Sequence, residues 1–487
     1  MARIARAWPC LASALLVNLA FAPFNLTFLV FAALVPWLAS LRESTGRQGF
    51  RSGWTFGFLM MLGQFAWNFS FVNKWVQNPA LSMVPYLSMS AAAAVYFGVV
   101  GWQVTLCWRN KMPWAIPLVW AGMEVFRSFI PYLAFPYGLL ATPLWPYPWM
   151  IQSAYYGSIY LVGAWVALVN VLFTIFLIGG FGWRQTRGYL GGIILLAAIS
   201  LVRYNEPLPA ERIVVTVGQP GTDLAFGDRD QNAALLARVV PEFQAEAALQ
   251  GSEILVLPEG IAGNQGTFPP QPPFVLEPSP PVLFGGQRGT GPTYQTAFSY
   301  DGTWHYADKT RLVIFGEYVP FREQFPIFAQ AFQLPGGNLA PGTELKSLKV
   351  GKRTVGPLIC FEGLFSDLAW RQAMNGAELL AVMSVDDWFM GTNAPDQLKA
   401  GSVWRAVEAG LPLVRSASRG HSFAVDSQGH IRAEVPIGVT RSFRVELPVA
   451  PPQPFRFFFV FPMSAASVLV LLPLGTWFGN RRRAVKN

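Results

Sequence analysis

One cysteine in the middle of the chain carries the most chemical information. Cys360 closes an apolar, β-branched run, Thr354-Val355-Gly356-Pro357-Leu358-Ile359, and Phe361-Glu362-Gly363 follows it. A strand that ends on a nucleophile and then turns can present it at a sheet edge. Cys10 and Cys107 fall within or at the ends of long apolar segments, so Cys360 has no disulfide partner in its own region. The bland alternative for such a lone cysteine is a small buried apolar residue. A nucleophilic cysteine also needs a base for its proton and a donor for the oxyanion formed on the attacked carbonyl. His305, His421 and His430 lie in turn-rich stretches near strand starts, where a solvated loop role fits better than catalysis. A carboxylate base is the remaining option. Leu257-Pro258-Glu259 ends the apolar run 254–257, and Tyr306-Ala307-Asp308-Lys309 places a lysine just past the strand-like Thr303 to Tyr306. Glu259, Lys309 and Cys360 are separated by 50 and 51 residues, room for one αβ or ββ step between each pair. Each polar member alone reads as a solvated surface residue, and the ordered set is more specific than its members. No Gly-x-Ser-x-Gly elbow, His/Cys metal spacing, Walker loop or Gly-x-Gly-x-x-Gly fingerprint occurs, so no metal and no cofactor are expected.

The elements that must position these residues lie in 204–454. Short β-branched runs such as Ile213 to Val217, Ile254 to Leu257 and Thr354 to Ile359 alternate there with helical patterns at 231–249 and 396–409. This predicts one α/β domain with buried strands. Pro-rich 268–281 and Gly/Pro-bearing 335–342 read as loops, and the apolar stretch 324–334 could touch lipid.

The rest of the chain has a different texture. Of 487 residues 52% are apolar and only 13% charged, and the mean hydropathy is +0.34. A purely cytosolic enzyme is therefore not expected. Eight apolar stretches are candidates to cross a hydrocarbon core of about 30 Å. They lie near 8–24, 25–41, 53–73, 82–107, 112–129, 157–181, 188–203 and 456–478. Arg3 and Arg6 before a run ending Ala20-Phe21-Ala22 also suit a signal peptide. The next span follows so closely through Pro23-Phe24-Asn25 that a retained helical hairpin is the better reading. The formal charge of +9 is uneven: 204–454 holds 19 Lys and Arg against 25 Asp and Glu, the remainder 17 against 2. The basic excess thus accompanies the hydrophobic segments, which removes a nucleic-acid partner from consideration.

Arg3 and Arg6, Arg42, Arg47 and Arg51, Arg109 and Lys111, Arg184 and Arg187, and finally Arg481 to Arg483 and Lys486 fall on one side of an eight-span layout. The opposite short loops hold little beyond Lys74 and Arg127. Positive residues are retained on the cytoplasmic side, so both termini are predicted cytoplasmic and 204–454 exported. The expected organisation is a membrane domain of seven spans at 1–203, an exported catalytic domain at 204–454, and a last span with a basic tail at 455–487.

The blocks Leu257-Pro258-Glu259, Asp308-Lys309 through Phe315-Gly316-Glu317-Tyr318-Val319-Pro320, and Ile359-Cys360-Phe361-Glu362 resemble the nitrilase superfamily, and best of all its membrane-embedded branch, the apolipoprotein N-acyltransferases. Ser384 to Phe389, Arg405-Ala406 with Glu408, Pro412, Arg415-Ser416, Phe21-Ala22-Pro23-Phe24 and Phe135-Pro136-Tyr137 add to the likeness, which covers nearly the whole chain. The resemblance implies an αββα sandwich in which Glu259 is the general base, Lys309 the oxyanion partner and Cys360 the nucleophile, with Glu317 and Glu362 in support. It implies ping-pong transfer of an acyl chain. A phospholipid would donate it to a thioester on Cys360, and the α-amino group of the diacylglyceryl-cysteine of an apolipoprotein would accept it. The setting implied is a bacterial inner membrane with a periplasmic catalytic domain, and 268–281 and 324–334 are expected lids. A dipole-favoured carboxylate at a helix start is the alternative for Glu362. Phe361 stands where relatives often have Tyr, Val385-Asp386 replaces Asn-Asp with Asp387 following, and only Phe226 lies near a commonly found Trp. These departures bear on donor and acceptor preference more than on reaction type. Two alternatives remain. A membrane-anchored amidase would have water resolve the thioester, and a silent scaffold would retain only the fold, although the intact triad argues against that.

Overall fold

The computed structural model describes residues 4–179, 182–319, 324 and 338–486. The chain forms two units, Met1–Asn205 with Arg456–Asn487, and Glu206–Phe455.

The first unit is helical. Thr45 and Gln48 start the helix Gly46–Gln64 with a reciprocal pair of hydrogen bonds, Gln48 N to Thr45 Oγ1 at 3.3 Å and Thr45 N to Gln48 Oε1 at 2.8 Å. Gly49, Gly53 and Gly57 recur every four residues and form one face of that helix, against which Pro79–Arg109 packs. A Cβ at Gly53 would sit 2.1 Å from Phe97 O, and one at Gly101 2.2 Å from Gly49 O. The two backbones thus approach as closely as only glycine permits. The same logic joins the last helix, Val460–Lys486, to Ile116–Phe129: a Cβ at Gly122 would lie 2.3 Å from Ala465 O.

Among the described residues, four helical stretches are long and apolar enough to cross a membrane: Pro79–Arg109, Ala154–Ile178, Thr186–Tyr204 and Val460–Gly479. The other expected spans are shorter or more polar. The stretch 25–41 breaks into a 3-10 turn, Thr27–Phe31, and a short helix, Val35–Ser40. Asn170 spans the break: its Nδ2 donates to Val30 O and its Oδ1 accepts from Leu34 N, both at 2.8 Å. Such side-chain amides satisfy backbone groups that an interrupted helix leaves open. The stretch 53–73 is likewise divided at Phe65 between Gly46–Gln64 and Ala66–Val76. Arg127, read from sequence as a loop residue, is buried in Ile116–Phe129. Its Nη1 and Nη2 donate to Tyr137 O at 2.6 Å and Gly138 O at 3.0 Å, while buried Glu124 accepts from Leu140 N at 2.7 Å. The pair holds an irregular segment in place, so Arg127 is not a topology marker.

The second unit contains thirteen strands among the described residues. They are β1 Arg212–Gln219, β2 Ile254–Val256, β3 Asn264–Gln265, β4 Val282–Arg288, β5 Tyr294–Tyr300, β6 Trp304–Asp308, β7 Leu348–Val350, β8 Arg353–Ile359, β9 Leu379–Ser384, β10 Leu413–Ala417, β11 Ser422–Val425, β12 Ile431–Val435 and β13 Arg441–Pro448. One sheet runs β13-β1-β2-β4-β5-β6 with β3 beside β4, the other β12-β11-β10-β9-β8-β7. Each has a parallel centre, β1-β2-β4 or β8-β9-β10, flanked by antiparallel strands. Period-two alternation sends Ile213, Val215, Val217, Ile254 and Val256 inward against Val355, Ile359, Ala381, Met383 and Val414 of the facing sheet. The helix Arg229–Leu249 covers the first sheet's outer face with Leu236, Val239, Val240 and Phe243, and Ser366–Met374 and Ala394–Ala409 lie against the second. The layers are α-β-β-α. Segment 268–281 is a loop whose Phe274 is buried edge-on against Phe284 at 5.5 Å. Of the expected lid 324–334, residues 325–334 lie outside the described residues.

Candidate active site

Glu259, Lys309 and Cys360 follow the C-terminal ends of β2, β6 and β8, where open α/β sheets present functional groups. Cys360 has φ +53°, left-handed for a residue with a Cβ, and opens the 3-10 turn Cys360–Leu364. That conformation is costly and is held only where the surroundings over-determine it. It swings the chain out of β8 as the thiol is reached.

Three charged groups meet there. The Glu259 carboxyl hydrogen-bonds the Cys360 thiol, accepts from Val385 N at 3.3 Å, and places Oε1 3.7 Å from Lys309 Nζ. Lys309 Nζ donates to Glu317 Oε1 at 2.7 Å, and Glu317 Oε2 accepts from Val313 N at 2.8 Å. Lys309 is fully enclosed, its side chain 0% exposed, so an unpaired ammonium would be untenable. Burial opposes its charge, yet Glu317 and Glu259, with Cys360, outweigh that and hold its pKa above the usual lysine value. Burial lifts the Glu259 carboxyl to about 7 against the pull of Lys309, with Glu317 adding to the rise. Burial and the Glu259 charge push the Cys360 thiol up to about 12. At neutral pH the thiol is therefore protonated and lies beside a carboxyl near its midpoint of ionisation, whose ionised form can take the thiol proton.

Glu362 fixes the backbone next to both Lys309 and Cys360. Its Oε1 accepts from Thr310 N, Thr310 Oγ1 and Arg311 N at 2.8, 2.9 and 3.1 Å, and its Oε2 from Ile359 N at 2.9 Å. One buried carboxylate thus ties the residues after Lys309 to the residue before Cys360. Burial raises its pKa against the backbone bonds from Ile359, Thr310 and Arg311 and the charge of Lys309. The cysteine turn is also anchored from Ala394–Ala409, where Arg405 donates through Nη1 to Leu364 O and pairs with Glu408 at 2.7 Å.

Asp386 and Arg415 form a fully buried two-pronged pair, Nη1 to Oδ2 at 2.9 Å and Nη2 to Oδ1 at 2.8 Å. Burial works against the Asp386 charge, but Arg415 and Ser384 hold its carboxyl below the usual range. Gly420 makes room for it: a Cβ there would stand 1.9 Å from Asp386 Oδ2. Asp387 accepts from Leu224 N at 2.9 Å, and Phe226 lies edge-on to Trp388 at 5.5 Å. The histidines are engaged elsewhere. His305 meets Thr303 at 3.1 Å, His421 bridges Asp396 and Glu434 at 3.0 and 3.2 Å, and His430 meets Asp426 at 3.2 Å. No metal-binding cluster of His, Cys, Asp and Glu occurs among the described residues.

The reading from sequence gave no role to Ser384 or Asp386. Ser384 Oγ lies 3.4 Å from Cys360 Sγ and 2.7 Å from Asp386 Oδ1. The signals for it were the family-like stretch Ser384 to Phe389 and the succession of two largely buried strands, β8 and β9.

A two-sheet sandwich with these groups at its strand ends, in one chain with membrane-length helices, defines a membrane-bound protein of the carbon-nitrogen hydrolase class. Residues 295–438 match the carbon-nitrogen hydrolase family, a stretch that holds Lys309 and Cys360 and begins beyond Glu259. Residues 13–172 match the apolipoprotein N-acyltransferase N-terminal domain. Among curated relatives, the apolipoprotein N-acyltransferase of Geobacter metallireducens is 30% identical over 87% of this chain and 86% of its own. That of Rhizobium etli is 30% identical over 86% and 84%, and that of Pseudomonas syringae pv. tomato 26% over 88% and 89%. A solved carbon-nitrogen hydrolase from Helicobacter pylori superposes on 49% of this chain and 89% of its own at 14% identity and a TM-score of 0.35. The chain belongs to the apolipoprotein N-acyltransferase family.

Proposed function

We propose that the protein transfers a fatty acyl chain from a membrane phospholipid, through a thioester on Cys360, to the α-amino group of a lipoprotein's N-terminal diacylglyceryl-cysteine. The convergence of Glu259 and Lys309 on Cys360, in a chain alike over most of its length to apolipoprotein N-acyltransferases, carries this reading. Glu259 takes the thiol proton as Sγ attacks the sn-1 ester carbonyl, and Lys309 faces the oxyanion of the tetrahedral intermediate. Collapse breaks the C–O bond, and the departing lysophospholipid alkoxide takes the proton from Glu259. The amine then attacks the thioester and passes a proton to Glu259. The C–S electrons return to sulfur, which recovers that proton as the amide leaves. Glu317 pairs Lys309, and Glu362 sets the spacing of the two loops. The catalytic unit lies in the periplasm of a bacterial inner membrane with both termini cytoplasmic, a reading supported by the Arg-rich short loops of the membrane unit.

Mass spectrometry of the purified protein mixed with phospholipid tests this. The expected result is one fatty acyl mass on the Cys360 peptide, discharged by a diacylated lipopeptide. A folded protein that never forms the adduct would overturn the proposal, and discharge by water alone would identify an amidase-type hydrolase.

A further inference from the structure

The chemistry just proposed makes the Cys360 sulfur anionic twice, when it attacks the ester and when the amine displaces it. The groups facing that sulfur come from several strands: Glu259 past β2, Lys309 past β6, and Ser384 at the end of β9, with Asp386 behind it on Arg415 of β10. The register of β8 on β9 sets Ile359 opposite Met383, so one further step brings Cys360 beside Ser384. Ser384 is fully buried, and its hydroxyl has two acceptors in reach, Asp386 Oδ1 at 2.7 Å and Cys360 Sγ at 3.4 Å. One proton cannot serve both. While the sulfur is a thiol, the carboxylate holds the proton, being both nearer and charged. Asp386 does not depend on it, because Arg415 already binds both carboxylate oxygens.

We infer that Ser384 is a further catalytic residue, its hydroxyl turning from Asp386 to Cys360 Sγ whenever that sulfur carries the negative charge. The step moves no proton between residues and rotates one O–H bond. Asp386 and Arg415 are positioning residues that hold the hydroxyl oxygen against the sulfur. In keeping with this, the Ser384 contact draws the thiol's pKa down, against the burial and Glu259 that raise it. A donor to a sulfur anion stabilises attacking and leaving forms alike, so it serves both half-reactions.

The inference rests on Cys360 being the nucleophile, and its test separates the two ideas. The full-length protein, Ser384→Ala and Ser384→Thr are treated with iodoacetamide across a pH series, and modification of the Cys360 peptide is followed by mass spectrometry. Ser384→Ala should move the alkylation profile to higher pH and slow alkylation at a fixed pH on its acid side about tenfold, the size expected for one hydrogen bond to a charged group. Acyl-adduct formation and discharge should slow together, with the phospholipid KM unchanged. Ser384→Thr keeps the hydroxyl and should keep the unaltered profile. A profile unmoved in Ser384→Ala, or moved alike in both variants, overturns the inference. An unaltered protein that forms no acyl adduct would instead sink the acyl-transfer reading, while the alkylation profiles still decide the role of Ser384.

Discussion

Enclosure together with their mutual charges sets the protonation of Glu259, Lys309 and Cys360. In the proposed chemistry Glu259 is a base only while ionised, and its carboxyl is lifted to about 7. Acyl-enzyme formation, followed by rapid quench and mass spectrometry, should therefore rise with pH through that value and fall away below it. Glu259→Gln should lose that acid limb and about a hundredfold or more in rate, the usual scale of general-base catalysis. Cys360→Ala and Cys360→Ser should abolish transfer of labelled acyl chains. The meeting of Glu259, Lys309 and Cys360 was legible in the sequence because each follows a strand-like run and their order and spacing survive without coordinates. Ser384 was not, because its meaning depends on strand register, which a one-residue slip would erase. Arg127 was misread for the opposite reason: an arginine near the end of an apolar run looks like a loop residue until the carbonyls it binds are seen.

At the scale of elements, the site depends on loops tied together rather than on any one loop being rigid. Glu362→Ala would strip four donors of their acceptor in a buried place, and unpaired buried donors are costly. We expect a loss of about 2–4 kcal/mol, read by chemical unfolding of the detergent-solubilised protein. Glu362→Gln, which keeps one acceptor oxygen, should lose less. In the membrane unit, Gly53→Val should push apart the helices Gly46–Gln64 and Pro79–Arg109 and lower the thermal midpoint, since the new Cβ would meet Phe97 O at 2.1 Å. Three strands and two helices of the catalytic unit were readable, from the β-branched runs at 213–217, 254–257 and 354–359 and the helical patterns at 231–249 and 396–409. Four of the eight expected spans coincide with membrane-length helices among the described residues, and the breaks in 25–41 and 53–73 were not read. Apolarity says little about where a helix is interrupted when a distant side chain, here Asn170, supplies the missing hydrogen bonds.

At the scale of the whole molecule, the net charge of +9 is the sum of a basic membrane portion and an acidic catalytic one. If the proposed orientation holds, a single cysteine introduced at exposed Glu242 should react with a membrane-impermeant maleimide in intact spheroplasts. One introduced at exposed Lys111 should react only after lysis. Reaction of both from the same side would reject the layout. The chain order also bears on biogenesis. The membrane unit is completed by residues 456–487, and the contact of Gly122 with Ala465 and the bond from Gln103 Nε2 to Leu469 O join its middle to its last helix. Those partners emerge from the ribosome only after some 250 intervening residues have been made. The early helices must therefore wait with one seam open, and completion of the membrane unit is timed by synthesis of the whole second unit rather than by that of its own first helices.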